Sequence, residues 1–461
     1  MADMLEQLPR SMVQRVPAQV RAVMTQLESA GYDAYAVGGC VRDALLGRDP
    51  HDWDMTTNAT PEQMKEAVSF HSIDTGLKHG TVTFIVEHEP IEVTTYRIEG
   101  AYSDGRHPDS VEFATTLEED LSRRDFTVNA MAWSDESGVV DPFGGISDLQ
   151  DKLLRCVGNA SERFSEDGLR VMRALRFAAY YGLSVEKGTA CAVHEKKGML
   201  SAVSGERICA ELTRMMESPD GNHLADIVSQ FSDVMFQIMP ELAPAYGLDQ
   251  ENPHHDRDCW THMVDVMAQM EPDLALRLAA LLHDVGKPSC KVKGEDGVAH
   301  YPGHAEKGAR IAETLLSRLK FPHRIRDEVV FLVAQHDSWP APTQRSARRF
   351  LARCGDEKRA RRLLALMKAD RRAHAPNSVE GKFDELEQFG VFMESALEED
   401  AAFTVRDLEI SGCDLLEKGW TEGPGLGAEL QRLFDLVLSG DLPNERSALL
   451  MAARDPEAHS A

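Results

Sequence analysis

The pattern of apolar residues changes once along this chain, near residue 160, and that change governs what it can fold into. Between residues 35 and 141 lie two short β-branched runs, TVTFIVE and IEVTTYR, separated by His88, Glu89 and Pro90. Such runs around a turn predict a hairpin. DPFGG, at residues 141–145, reads as a sharp turn that closes this block. Past residue 160 strand signals nearly vanish. Residues 165–181, 206–217, 259–270, 274–283, 303–319 and 325–334 all carry helical spacing. GKPSCKVKGEDG, residues 286–297, is the clearest interior loop. Ahead of the strands, the first 30 residues predict one amphipathic helix with Val20, Val23, Met24 and Leu27 on its apolar face. The expectation is an α+β, multi-domain protein, an α/β head followed by a long all-α body.

Length and charge bound the function. At about 150 residues per domain, 461 residues allow about three domains. Apolar content of 43% and charged content of 27% argue against wholesale disorder. No stretch is apolar and long enough to span a bilayer, and MADMLEQLPRSMVQRVPAQV interleaves charges with prolines, unlike a signal peptide. The eight cysteines are dispersed without a CxxC pair, which argues against a zinc knuckle or disulfide framework and points to the cytoplasm. Fifty Lys and Arg against 76 Asp and Glu give a net charge of −26. That sum weighs against nucleic acid, but it says nothing about patches.

The sharpest chemical signal is YAVGGCVRDALLGRDPHDWDMTT, residues 35–57. Gly38 and Gly39 end a short apolar strand, and residues 40–46 read as the helix after it. Glycines there let backbone amides approach a phosphate, and a helix start adds a favourable dipole. Asp52 and Asp54 follow; residues two apart on a strand share a face, and paired carboxylates hold hard divalent cations. Glu92, on the predicted neighbouring strand, supplies a third carboxylate, as a two-metal phosphoryl-transfer site needs. Singly, a Gly-Gly turn, a DxD and a strand glutamate are ordinary; together they are specific.

Two further motifs fit the same chemistry. In RRDFTVNAM, residues 123–131, Asp125 and Asn129 are four apart on one helical face, and Arg123 and Arg124 suit triphosphate oxygens. A salt-bridged helix start is the alternative. In EDGLRVMRALRF, residues 166–177, Asp167 and Arg170 are three apart on a predicted helix. A carboxylate accepts from an exocyclic amine and a guanidinium donates to ring acceptors. Such a pair suits the Watson–Crick edge of C or A and refuses U and G. A Glu166–Arg170 pair is the structural alternative, compatible with the first. Arg173 and Arg176 continue the basic side of that helix.

With DPFGGISDL at 141–149 and GERICAEL at 205–212, these motifs resemble, in order, the bacterial CCA-adding tRNA nucleotidyltransferase and poly(A) polymerase family, class II branch, over about residues 30–215. The resemblance implies a polymerase-β-like palm at 1–155 and a helical neck at 156–245 that selects the base and binds RNA. It implies that Asp52 and Asp54 hold two Mg²⁺ ions, with Glu92 positioning the primer hydroxyl or accepting its proton. Gly38, Gly39, Arg42, Arg123, Arg124, Asp125, Asn129, Asp167, Arg170, Arg173 and Arg176 would bind the nucleotide. Asp125 would contact the ribose, and Asp167 with Arg170 would act as a protein template. The loop YSDGRHPDSVEF, residues 102–113, would affect the switch from C to A addition. The implied partners are tRNA, CTP and ATP, with no membrane and no obligate protein partner.

His262, His283-Asp284, His304 and His336-Asp337 follow one another in an order that resembles the HD superfamily of metal-dependent phosphohydrolases. That implies an HD-type domain at 246–345 in which His262, His283, Asp284 and Asp337 ligate Mg²⁺ or a divalent transition metal. His255, His304 and His336 are alternative ligands, and a scaffold without turnover is the competing reading.

The remainder, 346–461, is expected to be a helical, tRNA-binding tail. The segment 345–372 holds eleven Lys or Arg against three Asp or Glu, a local +8, with Arg345, Arg348, Arg349, Arg353, Arg361 and Arg362 as RNA-binding candidates. Residues 404–454 resemble the tail domain of many class II enzymes, and Gly423 to Gly427 read either as a helix–loop–helix turn or as a phosphate-holding helix start. The last residues, DPEAHSA, read as a frayed end. The leading function is CCA addition to tRNA. Addition of C alone or A alone, poly(A) synthesis, an HD phosphohydrolase with a regulatory head, and a non-catalytic RNA-binding protein stand as alternatives.

Overall fold

The computed structural model describes residues 15–76, 80–99, 111–252, 257–295, 297–374, 382–398 and 404–455. The chain forms two compact units, residues 1–238 and 239–461. Of the expected N-terminal helix, the described part is Ala18–Ser29, and it buries Val20, Val23, Met24 and Leu27. These four join the cluster that includes Val82, Phe84 and Val93 of the sheet.

The first unit holds strands β1 (Ala34–Val37), β2 (Met55–Thr57), β3 (His71–Gly76), β4 (Thr81–Val86) and β5 (Glu89–Thr95), then β6 (Arg97–Glu99), β7 (Val111–Phe113), β8 (Ala132–Ser134) and β9 (Gly138–Val140). Seven of them form one sheet in the order β3-β4-β5-β2-β1-β8-β9, and β6 pairs separately with β7. Within the large sheet β2 and β5 run parallel, Met55 opposite Val93. The hairpin turn is tighter than the text suggests. Glu89 and Pro90 already pair with Val86 and Ile85, and the turn is Glu87-His88. Both turn residues have positive φ, 51° and 73°, the backbone that matches strand twist in a two-residue hairpin. At DPFGG, Asp141 accepts from the amides of Gly145 and Ile146 at 2.7 and 2.8 Å and so caps the helix Gly145–Gln150.

The expected helix 165–181 is two helices, Ala160–Glu166 and Leu169–Tyr181. Between them Asp167 is extended, with φ −138° and ψ 109°. A Cβ at Gly168 would lie 2.8 Å from the Met199 carbonyl oxygen, so the break rests on a glycine that lets another backbone approach. Helices Gly39–Leu45, Pro61–Ala67, Leu117–Ser122, Lys187–Lys196, Gly205–Met216, Gly221–Gln230 and Ser232–Ile238 also belong to the unit.

The second unit is helical: Cys259–Ala268, Leu274–Leu282, His304–Arg318, His323–Gln335, Gln344–Cys354, Glu357–Arg372 and Lys382–Glu398. The expected interior loop contains a short strand, Val292–Lys293, paired with Ala299–His300. Helices Gly412–Glu417, Pro424–Ser439 and Arg446–Ala452 pack on their own core of Leu415, Trp420, Leu433, Phe434 and Leu449. The GPGLG turn is the start of Pro424–Ser439. Among the described residues no helix is long and apolar enough to cross a membrane.

Candidate active site and a buried histidine cluster

A cavity of about 830 Å³ in the first unit gathers residues from the strands and from the helices that follow them. Asp52 and Asp54 line it; both are exposed and precede β2 rather than lying in it. The Asp54 carbonyl accepts from the Val37 amide at 2.9 Å, which ties the DxD segment to the end of β1. Glu92 lies on β5, one residue before the Met55–Val93 pairing, and is exposed. Desolvation by the surrounding cavity wall pushes the Asp54 carboxyl up; Arg124 opposes this, and the charges of Glu92 and Asp52 add to it. Crowded oxygen donors of this kind fit Mg²⁺, whose charge would relieve the repulsion.

Gly38 has φ +85°, and a Cβ there would come within 2.5 Å of Arg124 Nη1, so the glycine makes room for a guanidinium. Arg124 and Arg123 share the buried Asp120, at 3.7 and 2.9 Å. Arg42 bonds the Asn129 side chain and pairs with Asp43 at 3.0 Å. Asp125 and Asn129 do meet, Asn129 Nδ2 donating to Asp125 Oδ1 at 3.0 Å. They meet across a 3₁₀ turn, Thr127–Asn129, and not along the expected α-helical face. Arg173 Nε donates to Asp125 Oδ2 at 2.7 Å. Burial pushes Asp125 up, but Arg173 and Asn129 outweigh it and hold the carboxyl at about 2.

Asp167 and Arg170 both line the cavity, though not as one helical face, since the helix begins after Asp167. Asp167 accepts from the Leu169 amide at 3.0 Å and from Arg207 Nη2 at 2.7 Å. Arg170 pairs with Glu166 and donates to the Arg123 carbonyl at 3.2 Å. Each half of the expected base-reading pair is thus fixed by a different partner. Arg207 belongs to GERICAEL and was not singled out by sequence. Arg176 pairs with the buried Glu211.

In the second unit His262, His283, Asp284, His304, His336 and Asp370 are buried together. Asp284 is central: Oδ2 lies 3.2 Å from His283 Nε2 and 3.6 Å from His262 Nε2, while Oδ1 lies 3.4 Å from His304 Nε2 and 3.7 Å from His336 Nε2. Asp370 Oδ1 lies 2.9 Å from His262 Nε2. The Nδ1 atoms of His283, His304 and His336 sit 2.7, 2.8 and 2.7 Å from the carbonyls of Ala280, Tyr301 and Val333. Those contacts turn each Nε2 inward, where the ring once neutral can donate a lone pair to a metal. Nitrogen and oxygen donors in this mixture fit a divalent transition metal. Two triads share Asp284: His262 with His283, and His304 with His336.

Asp337, expected as a ligand, is exposed and joins none of the ligand groups among the described residues. Asp337 follows His336, the C-cap of the helix His323–Gln335, and lines the same cavity as Asp284, His304, His336 and Asp370. The carboxylate that does group with His262 is Asp370, with His374 four residues on, both past residue 345. His255 lies outside the described residues, as do residues 102–110 of the expected flexible loop and 456–461 of the expected frayed end.

The basic stretch is less free than its charge suggests. Arg361 pairs with Glu357 and Glu394, and Arg362 with Asp273 and Glu328, so neither presents an unmatched guanidinium to RNA. Folding brings these carboxylates in from distant segments. A Cβ at Gly440 would lie 2.9 Å from Arg348 Nη1, which places Arg348 against the end of Pro424–Ser439. Arg345, Arg349 and Arg353 are exposed.

Residues 34–155 match the family described as Poly A polymerase head domain, and residues 260–374 match the HD domain family. The CCA-adding enzyme of Lactobacillus helveticus (strain DPC 4571) is 38% identical over 275 residues, 59% of this chain and 67% of the relative. The CCA-adding enzyme of Lactococcus lactis subsp. cremoris (strain MG1363) is 45% identical over 215 residues, 46% of this chain and 52% of the relative. The match thus spans between half and two thirds of these relatives' length. Among solved structures, that of Bacillus stearothermophilus CCA-adding enzyme in complex with CTP superposes with a TM-score of 0.65 at 27% identity, covering 94% of this chain and 95% of the other. Thermotoga maritima CCA-adding enzyme complexed with tRNA shares the fold, with a TM-score of 0.63 at 18% identity, covering 96% and 98%.

Proposed function

The chain belongs to the CCA-adding enzyme family, and from that premise we propose that it adds C, C and A to the 3′ end of tRNA from CTP and ATP, releasing pyrophosphate. One observation carries this. Asp167 and Arg170, anchored separately by Arg207 and Glu166, share a cavity with Asp52 and Asp54. Fixed protein donors and acceptors can then select the base with no nucleic-acid template. A carboxylate and a guanidinium together suit C and A alike, which favours the full reaction over addition of one base or poly(A) synthesis.

Asp52 and Asp54 would hold two Mg²⁺ ions, with Glu92 beside them at the primer hydroxyl. Bound Mg²⁺ supplies charge for the triphosphate and lowers the barrier to hydroxyl attack at the α-phosphorus. Asp125 faces the sugar, while Arg42, Arg123 and Arg124 meet the phosphates. The test uses tRNA ending before CCA, given CTP and ATP separately and together. Asp167→Ala should cut discrimination against UTP and GTP by about tenfold or more, since one paired contact sets about 1–3 kcal/mol of base choice. Unchanged selectivity would sink the template reading.

We assign residues 1–155 to the head and 156–245 to the neck, and we extend the HD-type domain past 345 to 374, since Asp370 lies 2.9 Å from His262. The remainder is a helical tail that faces tRNA through Arg345, Arg349 and Arg353. Location in the cytoplasm is supported by all eight cysteines being free.

The histidine cluster would hold a divalent transition metal and serve phosphate-ester hydrolysis. Burial pushes His283 down, but Asp284 and Asp370 outweigh it and hold the imidazolium up to about 10. That proton stabilises the fold in full below pH 6.5, and its contribution is lost as pH rises toward 10. A metal must displace it. Zn²⁺ affinity of chelator-treated protein should therefore rise with pH between 6 and 9, with proton release visible by calorimetry in buffers of different ionisation enthalpy. Affinity independent of pH would remove the metal assignment.

A further inference from the structure

The arginines of the first unit's cavity fall into two groups. Arg42, Arg123, Arg124, Arg170, Arg173, Arg176 and Arg207 are buried or half-buried, and each is matched by a carboxylate. Arg48 and Arg214 also line the cavity, are exposed, and make no ion pair among the described residues. Asp49, beside Arg48, is held by Arg15 at 3.0 Å. The unmatched positive charge therefore sits at the open side of the cavity.

Arg48 lies on aromatic rings. Its guanidinium carbon is 4.8 Å from the Tyr181 centroid and 5.5 Å from that of Tyr180. The two tyrosines meet edge to face at 5.1 Å, and Tyr181 stacks on Phe177 at 5.8 Å. Arg42 lies 4.2 Å over Tyr181 from within. Arg42 and the Phe177 end of this ladder are buried, whereas Tyr180 and Tyr181 are half-buried and line the cavity.

The ladder stands at the far end of the helix that starts next to the base-reading pair. From Arg170 to Tyr181 that helix advances about 16 Å, at 1.5 Å per residue. Stacked bases follow each other at about 3.4 Å, so no single base reaches both ends. A cavity of about 830 Å³ is near the upper limit for a site holding one small ligand. Single-stranded nucleic acid is held by aromatic faces together with arginine.

We propose that Tyr180, Tyr181 and Arg48 form the platform on which the 3′-terminal base of the RNA primer stacks, with Arg48 and Arg214 holding its phosphates. The incoming nucleotide is read at the other end of the same helix. These are positioning residues for the primer; they do not choose the base. The inference rests on the transferase reading and deepens it.

The test is steady-state addition of A to tRNA ending in CC, with RNA and ATP varied separately, in the full-length protein. Tyr180→Ala and Arg48→Ala should each raise KM for RNA about tenfold and leave KM for ATP and base choice unchanged. Tyr180→Phe keeps the ring and should restore RNA KM to within twofold; Arg48→Lys keeps charge without the planar stack and should not. Thermal melting of each variant checks folding. An RNA KM in Tyr180→Ala within twofold of wild type overturns the platform, as does a rise in ATP KM instead. Affinity for a short single-stranded RNA with a 3′ hydroxyl is measured on the same preparations. If wild type adds no nucleotide, the transferase reading falls, and this binding arm alone decides the platform: about tenfold weaker binding in Tyr180→Ala supports it, and equal binding overturns it.

Discussion

Asp54→Ala should lower nucleotide incorporation by about a thousandfold while tRNA affinity and melting temperature stay near wild type. The size follows from removing one charged group aimed at the reacting phosphate, a class of loss worth about 10²–10³ in rate. The specificity of the effect follows from the setting. Asp54 is exposed on the cavity wall and is anchored through its backbone carbonyl to the Val37 amide, a bond that alanine keeps. Desolvation by the surrounding cavity wall raises its carboxyl, opposed by Arg124 and helped by Glu92 and Asp52. A carboxyl whose pKa is raised by folding destabilises the fold when ionised, so at neutral pH its removal does not weaken the protein. Arg124 still has Asp120 at 3.7 Å. Melting curves and filter binding of tRNA check both statements. A large drop in melting temperature would make Asp54 a structural residue, and a loss of tRNA affinity would place it in RNA binding.

What could be read in the text was what is local or periodic. Val20, Val23, Met24 and Leu27 announce a buried helix face, and the runs around Glu87-His88 announce a hairpin whose second strand carries Glu92 beside the DxD. The Asp125–Asn129 pairing was legible from spacing even though the turn that makes it is 3₁₀, because both geometries bring such neighbours close. What escaped was set by contacts between distant segments. Arg207 meets Asp167 across 40 residues, and Asp370 meets His262 across 108. Asp337 was expected from the order of the His and Asp motifs and lines the cluster's cavity, while Asp370 and His374, four apart on or just past a helix, carried a signal of their own. Arg362 looked like part of a basic face in a sequence window that could not contain Asp273, 89 residues away.

Asp284→Asn should abolish metal uptake by the second unit, lower its melting temperature by about 10 °C and leave nucleotide addition intact at temperatures where the protein stays folded. Asp284 is 1% exposed and Lys287, whose ammonium lies 2.6 Å from Oδ2, is 7% exposed. Burial pushes the Asp284 carboxyl up, but Lys287 and His283 outweigh it and hold it well below the usual range. Its stabilising contribution is therefore present above pH 3.8 and lost on acidification. An amide keeps the volume and removes the charge, so Lys287 and the His283 imidazolium are left buried without it. Breaking such a pair from one side costs about 3–5 kcal/mol, and about 2–4 °C is lost per kcal/mol in a unit of this size. The same physics predicts partial repair. Removing both charges by adding Lys287→Met should recover much of the lost stability, because a buried pair replaced by apolar atoms is often neutral. It should not recover metal binding, since Asp284 joins two of the three ligand groups and links His262 and His283 to His304 and His336. Stability regained without metal would separate the two roles of one carboxylate, electrostatic partner and ligand, whereas a single Asp284→Asn variant that melts with wild type would mean that the charge there is matched by something other than Lys287 and His283.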